Sequence, residues 1–394
     1  MLQTLKNYYH LIQGVVAVSF RMNPTRGMTV IGVTGTDGKT TTSSLIYHIL
    51  TKIGYKVALI STIGAYIDGK KLDTGLHVST PNSFQLQRYI TLAKEKGVTH
   101  IILEVTSHAI DQHRIYGIPF DIGVVTNITR EHLDYHKSMK RYMETKAKLL
   151  QKSRVAILNK DDGSYIFLKQ RLAGHRIITY GLEDAEVTPK NHPFKQKHVG
   201  LFHTYNSLAA LSVCDEIGVD PKAAAEALES FNLPEGRSEV VYRNGFTIII
   251  DFAHTPQAIE SVLSAINAQK KGGRLIHVFG CAGERDKGKR PLMGSASAKY
   301  ADCIILTSED PRSEDANEIA NEIRKGVPDG KDVITEIDRG KAIEKAISKA
   351  KKGDVIIVTG KGHEKSINFG KGEIGWSEHK AVENALLSQG IVKK

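Results

Sequence analysis

A glycine-rich turn near the start of the chain has the residue types that bind phosphate. The stretch VIGVTGTDGKTTTSS begins at Val30 and reads as a strand, a turn and a helix. Amides at a helix N-terminus favour phosphate, the lysine can reach terminal phosphates, and the threonine hydroxyl can ligate Mg²⁺. The strict pattern places a glycine at Val33, so this is the shorter GTDGKT variant. We expect a nucleotide to be bound by Gly35, Thr36, Asp37, Gly38, Lys39, Thr40 and Thr41.

Two later segments place polar side chains after apolar strands, and the first of them could serve a metal. Glu104 ends the apolar strand of ILEVTSHAIDQHR. A carboxylate at the C-terminal edge of a parallel strand beside a phosphate loop is well placed to hold Mg²⁺, although a capping or salt-bridged glutamate has the same signature. In TNITREHLDYHKSMKRYMETKAKLL, His132 and Lys146 follow another strand. A lone helical lysine is usually solvated, and spacing does not favour Lys146 over Lys148.

The elements that must position these residues alternate between strand and helix. Short runs rich in Val and Ile precede helical patterns such as residues 83–95 and 139–151, and a second series with a helix near 316–325 follows Arg237. This alternation is typical of parallel sheets covered on both faces, so we expect an α/β fold. The best domain boundary is NLPEGRSEV. The predicted parts are a short leader helix (1–28), a central ATP-binding domain (29–235) and a C-terminal domain (236–394).

The composition indicates which kinds of partner and which cellular compartment to expect. Lys and Arg exceed Asp and Glu by 54 to 43, yet no basic block is interleaved with aromatics, so we expect no nucleic acid. The three cysteines have no metal or disulfide spacing, which favours a reducing cytoplasm. The apolar run at residues 11–20 is too short to span a bilayer. We expect this segment to form a helix packed on the first domain, and peripheral membrane contact is the less favoured alternative.

Nine motifs in a fixed order resemble one enzyme family. They are the phosphate loop, EVTSHAIDQHR, TNITREHLDYH, NKDD, YNSLAA, DFAHTP, FGCAGERDKGKRPLMG, SEDPRSED and GKGHE. Together they resemble the Mur ligases, most closely the UDP-N-acetylmuramoyl-tripeptide synthetases, from about Thr29 to the C-terminus. The resemblance implies a P-loop-type central parallel sheet domain followed by a Rossmann-like C-terminal α/β domain. It also implies an ADP-forming, ATP-dependent ligase that works through an acyl phosphate.

The resemblance also implies roles for individual residues. Thr40 and Glu104 would serve a first Mg²⁺, His132 a second, and Lys146 would be carbamylated, with Lys39, Glu104, His132 and Lys146 as the catalytic set. Further nucleotide contacts would come from Asn127, Asn159, Asn206, Asp251 and His254. The muramyl-peptide-like donor would meet Ser79, Thr80, Thr106, Gln112 and Arg114, with Val78 where the family has asparagine. The amino acid would meet Arg285, Glu309, Asp310, Arg312, Gly360 and Glu364.

The substrates are the open part of this interpretation. Arg312 can hold a distal carboxylate bidentately, which favours meso-diaminopimelate, while Asp310 in place of asparagine keeps lysine or another diamino acid close behind. The family's uridine-diphosphate-binding N-terminal domain is not expected in this chain, so a separate donor-binding protein or a lipid-linked donor is an alternative. A folate or polyglutamate-type ligase, a P-loop NTPase regulatory module and a degraded binding protein are the competing functions.

Overall fold

The chain forms two compact units, seen in a computed structural model that describes residues 2–19, 24–72, 74–75 and 79–392. The first unit comprises Met1–Thr129, Ser138–His198 and Phe202–Asn232. The second comprises Arg130–Lys137, Val199–Leu201 and Leu233–Lys394. The segment Arg130–Lys137 therefore groups with the second unit, although its neighbours in sequence belong to the first.

The first unit is built on a largely parallel sheet. Its strands are β1 Thr29–Thr34, β2 Val57–Ser61, β3 Gly64–Ile67, β4 Lys70–Leu72, β5 His100–Glu104, β6 Phe120–Val125, β7 Ser153–Asn159 and β8 Arg176–Tyr180. Their order across the sheet is β4-β3-β2-β5-β1-β6-β7-β8. The β3 and β4 pairings are antiparallel and the others are parallel. Because helices cover both faces, the central strands are continuous apolar runs rather than alternating ones.

The helices described up to residue 229 are α1 Leu2–Ser19, α2 Lys39–Ile53, α3 Ser83–Glu95, α4 Ser107–Asp111, α5 Leu133–His136, α6 Met139–Gln151, α7 Tyr165–Arg171, α8 Leu201–Ile217 and α9 Pro221–Glu229. Four of them, namely α3, α4, α6 and α9, begin at a side chain that caps the first turn. The Asn82 and Ser138 side chains accept hydrogen bonds from backbone amides in the first turns of α3 and α6. The helix α1 lies against the chain near Tyr116, where a Cβ on Gly14 would meet the Tyr116 Cβ at 2.9 Å.

No helix among the described residues combines the length and the hydropathy that crossing a bilayer requires.

The second unit has its own parallel sheet and core. Its strands are β9 Glu239–Asn244, β10 Phe246–Ile250, β11 Leu275–Phe279, β12 Cys303–Leu306, β13 Asp332–Thr335 and β14 Val355–Val358. A separate antiparallel pair is formed by β15 Ser366–Asn368 and β16 Glu373–Gly375. The order is β13-β12-β11-β14-β10-β9, in which β9 alone runs antiparallel to its described neighbour. The covering helices are α10 Pro256–Gln269, α11 Arg290–Ala298, α12 Ala316–Arg324, α13 Arg339–Lys349 and α14 Glu378–Ser388.

Candidate active site

The phosphate loop follows β1 and needs glycine at two positions. Gly35 and Gly38 have φ of 155° and 82°, conformations that residues with a side chain rarely adopt. A Cβ on Gly35 would lie 1.8 Å from the Thr126 Oγ1, and one on Gly38 would lie 2.4 Å from the Asn206 Oδ1. The loop is therefore a tight backbone cradle at the N-terminus of α2, which fits a phosphate group.

Side chains from the end of β6 hold this loop in shape. The Asp37 amide donates to the Asn127 Oδ1 at 2.9 Å, and the Asn127 Nδ2 and Thr126 Oγ1 both donate to the Asp37 carbonyl. The Lys39 Nζ donates to the carbonyl oxygens of Gly35 and Thr36 at 3.1 and 2.7 Å. The ammonium group thus folds over the loop, where it can meet the charge of a phosphate.

Glu104 lies at the end of β5 with its carboxylate turned toward the start of α2. It is 2% exposed, and its Oε1 accepts from the Thr40 Oγ1 at 3.2 Å and the Thr62 Oγ1 at 2.8 Å. The Thr62 amide donates to its Oε2 at 3.0 Å. Carboxylate and hydroxyl oxygens are ligands that Mg²⁺ prefers, often together with substrate phosphates. The donors present thus fit Mg²⁺, and Thr62 is a residue that the sequence did not single out.

No larger set of metal ligands accompanies them. Across the described part of the chain, His, Cys, Asp and Glu side chains do not gather in any group of three or more that could hold a metal ion.

Lys146 is buried in α6 directly behind the phosphate loop. Its side chain is 1% exposed, and its Nζ donates to the Gly35 carbonyl at 2.7 Å and lies 3.5 Å from the Thr34 Oγ1. The Tyr142 ring centroid is 4.7 Å from the same nitrogen. Among the described residues, no carboxylate forms an ion pair with it. Burial, and next the charge of Lys39, hold the pKa of Lys146 well below its usual value.

The residues predicted around the nucleotide base are tied to the same loop. The Asn206 Oδ1 accepts from the Thr42 Oγ1 at 3.2 Å and packs against Gly38. The Asn159 Nδ2 donates to the Thr126 carbonyl at 3.2 Å, and its Oδ1 accepts from the Asp161 amide. Thr41 is buried in the first turn of α2.

The residues predicted for the donor peptide form a connected network beside Glu104. The Thr80 hydroxyl donates to the Glu104 carbonyl at 2.8 Å and accepts from the Thr106 amide at 3.1 Å. The Ser79 Oγ lies 2.7 Å from the Thr62 Oγ1, and the Thr62 hydroxyl in turn donates to the Glu104 carboxylate. These side chains therefore lie next to the predicted metal ligands.

Arg114 extends this network. Its guanidinium donates to the Gln112 Oε1 through Nε and Nη2 at 3.0 and 2.7 Å, and its Nη1 donates to the Thr80 carbonyl at 2.9 Å. Gln112 and Arg114 are thus a rigid pair rather than two separate side chains. Val78 lies outside the described residues.

In the second unit, Asp251 and His254 form the turn after β10. The Asp251 carboxylate accepts from the Ser238 and Ala253 amides at 2.6 and 2.7 Å, and burial is the main cause of its raised pKa. The His254 Nδ1 contacts the Phe252 carbonyl at 2.9 Å. Both residues thus belong to a well-ordered turn at the carboxyl end of a parallel strand, a common position for ligand contacts.

His132 lies in the segment Arg130–Lys137 of the second unit. It immediately precedes α5 and has φ of 56°, a left-handed conformation that is costly for a residue with a side chain. Its Nδ1 is 4.0 Å from the Glu131 Oε1. The unusual backbone orients an imidazole at a sharp turn.

Glu309 is a buried carboxyl group among residues predicted to bind the amino acid. Its Oε2 has no hydrogen-bond partner among the described residues and lies 3.3 Å from where a Gly360 Cβ would be. Burial raises the pKa of Glu309 to about 7, against the opposing charges of Lys289 and Lys361. Because Gly360 has φ of 108°, a side chain at that position is strained as well as crowded.

Asp310 and Glu364 share a buried cation that the sequence did not reveal. The Lys361 Nζ donates to the Asp310 Oδ1 at 2.9 Å and lies 2.6 Å from the Glu364 Oε2. The Asp310 Oδ1 also accepts from the Asn368 amide at 3.0 Å. The negative charge that Asp310 brings in place of asparagine is therefore matched by Lys361.

Two arginines lie near these acids. Burial, and next the positive charge of Arg312, lower the pKa of Arg285. Among the described residues, the Arg285 guanidinium has no hydrogen-bond or ion-pair partner. Arg312 has φ of 53°, and its Nη1 donates to the Gly283 carbonyl at 3.1 Å. Two neighbouring cations of this kind favour an anionic group such as a carboxylate.

Comparison with known proteins identifies the family. Residues 33–214 match the model for the Mur ligase middle domain, and residues 236–362 match the model for the Mur ligase, glutamate ligase domain. The chain belongs to the Mur ligase family. The predicted family, the α/β fold and the ADP-forming, ATP-dependent ligase class are confirmed by this membership, and Mur ligases use ATP and Mg²⁺.

Individual Mur ligases are similar over most of the chain. A UDP-N-acetylmuramoyl-L-alanyl-D-glutamate–2,6-diaminopimelate ligase of Aquifex aeolicus is 39% identical, with 97% of this chain and 82% of that protein covered. The Clostridium acetobutylicum ligase 1 of the same name is 38% identical over 91% of this chain and 80% of that protein. A solved structure of a ligase of this name has a TM-score of 0.60 at 30% identity, covering 92% of this chain and 79% of that one.

Proposed function

We propose that this Mur ligase joins an amino acid, in the first place meso-diaminopimelate, to the free carboxylate of a UDP-linked muramyl dipeptide. The observation that carries the proposal is the arrangement of the first unit, where Glu104 and Lys146 flank the phosphate loop and the Thr80–Arg114 network adjoins Glu104. The names of the similar ligases supply the donor and the amino acid.

The reaction balances in two steps. The donor carboxylate attacks the γ-phosphorus of ATP, which gives an acyl phosphate and ADP. The amine of the amino acid then attacks the acyl carbon, forms the amide, releases inorganic phosphate and loses a proton. Phosphorylation is needed because a free carboxylate has no adequate leaving group. Positioning and charge stabilisation are the main contributions that a protein can make to phosphoryl transfer.

The first unit supplies these contributions around one loop. The amides after Gly35 and the Lys39 ammonium hold the phosphates, while Thr40 and Glu104 would hold Mg²⁺. A Mg²⁺ ion bound at this position would neutralise the negative charges of the phosphates. Thr62 and Thr80 fix the Glu104 side chain and backbone, so the carboxylate stays oriented.

We assign Lys146 the role of a carbamylated lysine, with His132 serving a second Mg²⁺. The amine adds to CO₂ to form an N-carboxylate and releases one proton, which turns a buried cation into an anionic oxygen ligand. Two observations support this: Lys146 is buried behind the loop, and no described carboxylate pairs with it. Its lowered pKa favours the neutral amine that this addition needs.

The second unit supplies groups for a zwitterionic diamino acid. Glu309 and Glu364 suit ammonium groups, while Arg285 and Arg312 suit carboxylates, and Gly360 leaves the space in front of Glu309 open. Asp251 and His254 serve the nucleotide in this proposal. Aspartate at position 310, where related ligases have asparagine, adds a negative charge that would argue against diaminopimelate as the substrate. Lys361 pairs with this carboxylate, so the argument loses its force.

Other predictions from the sequence remain predictions. A lipid-linked donor and a separate donor-binding protein have no support from the similar ligases, whose names specify a UDP-linked donor. A cytoplasmic location stays a prediction, and a folate or polyglutamate-type substrate is not what the names of the ligases reported above specify. A regulatory NTPase would turn over ATP without an amine, which separates it experimentally from a ligase.

The test is an ADP-release assay combined with mass spectrometry of the products. UDP-linked and UDP-free muramyl dipeptides are each offered with diaminopimelate, lysine or ornithine. We expect ADP release only when donor and amino acid are both present, and a product that gains diaminopimelate. ADP release without any amine, or amide formation with lysine in preference to diaminopimelate, contradicts the proposal. Arg312→Gln should raise the KM for diaminopimelate more than that for lysine.

A further inference from the structure

Lys289 is a buried cation, and all of its hydrogen-bond donors are used by acceptors inside the second unit. Its side chain is 3% exposed. The Nζ donates to the Glu131 Oε1 and Oε2 at 3.0 and 3.1 Å and to the His254 carbonyl at 2.9 Å. An ammonium group has three N–H donors, and three acceptors are present. Lys289 therefore has no donor left for a substrate or a phosphate.

A second ion pair holds Arg130, the residue that directly precedes Glu131. The Asp286 carboxylate accepts from the Arg130 Nε and Nη2 at 3.0 and 3.2 Å, and its Oδ1 also accepts from the Gly288 amide at 2.9 Å. Asp286 and Lys289 thus bind two consecutive residues, Arg130 and Glu131, with opposite charges. This arrangement fixes the register as well as the position of the segment Arg130–Lys137.

The anchored segment carries His132 in a conformation that needs outside support. A non-glycine residue at φ 56° persists only where the surroundings hold it, and Glu131 is the residue directly before it. The segment is short, with α5 spanning Leu133–His136. The amides of residues 135–137 bond to carbonyls within the segment, whereas the Arg130 and Glu131 side chains attach its start to Asp286 and Lys289.

We propose that Lys289 is a positioning residue that ties the His132 segment to the turn containing Asp251 and His254. The contact to the His254 carbonyl and the contact to Glu131 come from one ammonium group, so the two predicted ligand-binding segments are held as one body within the second unit. This inference deepens the proposed function and rests on the role of His132 in binding Mg²⁺. Partners of metal-binding residues typically change metal affinity 10–100-fold when they are removed.

A purely structural role for Lys289 is the alternative, and the chain offers a matched control. The Arg274 Nε and Nη2 donate to the Asp354 Oδ2 at 3.2 and 2.8 Å, and Asp354 is as buried as Glu131. Arg274 and Asp354 directly precede β11 and β14, whereas His254 follows β10. Since these strands are parallel, the control pair lies at the opposite edge of the sheet. Lys289→Met and Arg274→Met each leave one buried carboxylate without its cation.

The experiment compares the two variants by hydrogen exchange and by metal binding. Hydrogen exchange of the peptide spanning residues 130–137 is followed by mass spectrometry, because the amides of Tyr135, His136 and Lys137 bond within this segment. Mn²⁺ binding is measured by electron paramagnetic resonance with a non-hydrolysable ATP analogue. We expect Lys289→Met to exchange faster in this peptide and to bind Mn²⁺ about tenfold more weakly. Arg274→Met should change neither, even where its Tm falls.

Two results overturn the proposal. Unchanged exchange and Mn²⁺ affinity in Lys289→Met, or equal changes in both variants, make Lys289 a structural residue only. If Lys289→Met does not fold, Glu131→Gln/Lys289→Met replaces it, because that variant buries no unpaired charge yet still lacks the ammonium. Exchange and Mn²⁺ binding do not require turnover. A chain that shows the expected differences but no amino-acid-dependent ADP release would disprove the proposed function and leave the Lys289 tie standing.

Discussion

Two buried lysines, one in each unit, have opposite electrostatic surroundings. Lys146 in the first unit has a backbone carbonyl, a hydroxyl and an aromatic ring around its nitrogen, and its pKa is lowered. Lys289 in the second unit is equally buried, and burial alone would lower its pKa as well. Burial is the largest single influence there, but the charge of Glu131, its hydrogen bond and the nearby Cys281 and Glu309 together outweigh it, so the pKa of Lys289 is raised.

The difference shows that burial does not decide what a lysine can do. A buried lysine with a carboxylate beside it stays an ammonium and acts as a tie between segments. A buried lysine without one is held near its neutral form, which is a nucleophile. The chemistry of each unit therefore depends on whether the sequence places an acid next to the lysine.

The strongest test of the comparison is the loss of Lys146. Lys146→Ala should lower kcat about 10²- to 10³-fold, the range found when one preorganised charge-stabilising group is removed. Lys148→Ala is the matched control, since Lys148 lies on the exposed side of α6. The carbamate itself is checked by ¹³C NMR after incubation with labelled bicarbonate. A labelled carbamate in Lys148→Ala but not in Lys146→Ala is expected, and full activity of Lys146→Ala contradicts the assignment.

Glu309 extends the comparison to a buried acid. Its pKa is raised from 4.5 to about 7, mainly by burial. The folded state therefore binds a proton more tightly than the unfolded state, so Glu309 stabilises the protein below pH 4.5 and this contribution is lost as pH rises through 7. Glu309→Gln should gain stability over the wild type between pH 5 and pH 8, by about 3 kcal/mol at most. Urea unfolding of both proteins at pH 5 and pH 8 measures this stability difference. A difference that does not change with pH contradicts the raised pKa of Glu309.

Placing an acid beside Lys146 should raise its pKa, so that it stays a charged ammonium group as Lys289 does. Thr34→Asp puts a carboxylate near the Lys146 Nζ, which lies 3.5 Å from the Thr34 Oγ1. An opposite charge at this range raises a lysine pKa by about one unit or more and lowers the neutral fraction about tenfold. Activity should fall about tenfold below that of Thr34→Asn, which has the same shape without the charge. Equal activities of the two variants would show that the proton on Lys146 does not matter.

Much of the fold could be predicted from the sequence because local signals agreed with the tertiary structure. The helical patterns at residues 83–95 and 139–151 coincide with α3 and α6, where Asn82 and Ser138 supply caps. The Val- and Ile-rich runs became buried parallel strands, as expected when both faces of a sheet are covered. The phosphate loop was found because glycine at positions 35 and 38 is a local backbone requirement.

The ion pairs could not be predicted because their partners are distant in sequence. Nothing local separates Lys146 from Lys148, or Lys289 from Lys287, and only the resemblance to Mur ligases pointed to Lys146. Lys289 pairs with a residue 158 positions away, and Lys361 pairs with Asp310 across 51 positions. Within the second unit, Arg130 and Glu131 are likewise paired with residues 156 and 158 positions away.

The smallest expected effect separates Lys289 from its neighbour Lys287. Lys287 forms an ion pair with Glu314 at 3.0 Å, but its side chain is 61% exposed and Glu314 is also held by Arg290 at 3.0 Å. Exposed pairs contribute little because solvent screens them and the long side chain loses entropy. Lys287→Ala should therefore change the free energy of unfolding by less than about 1 kcal/mol, whereas Lys289→Met should cost about 3 kcal/mol or more by leaving Glu131 buried and unpaired. Urea unfolding of the two variants side by side measures this, and equal losses would show that burial of the partner carboxylate is not what distinguishes the two lysines.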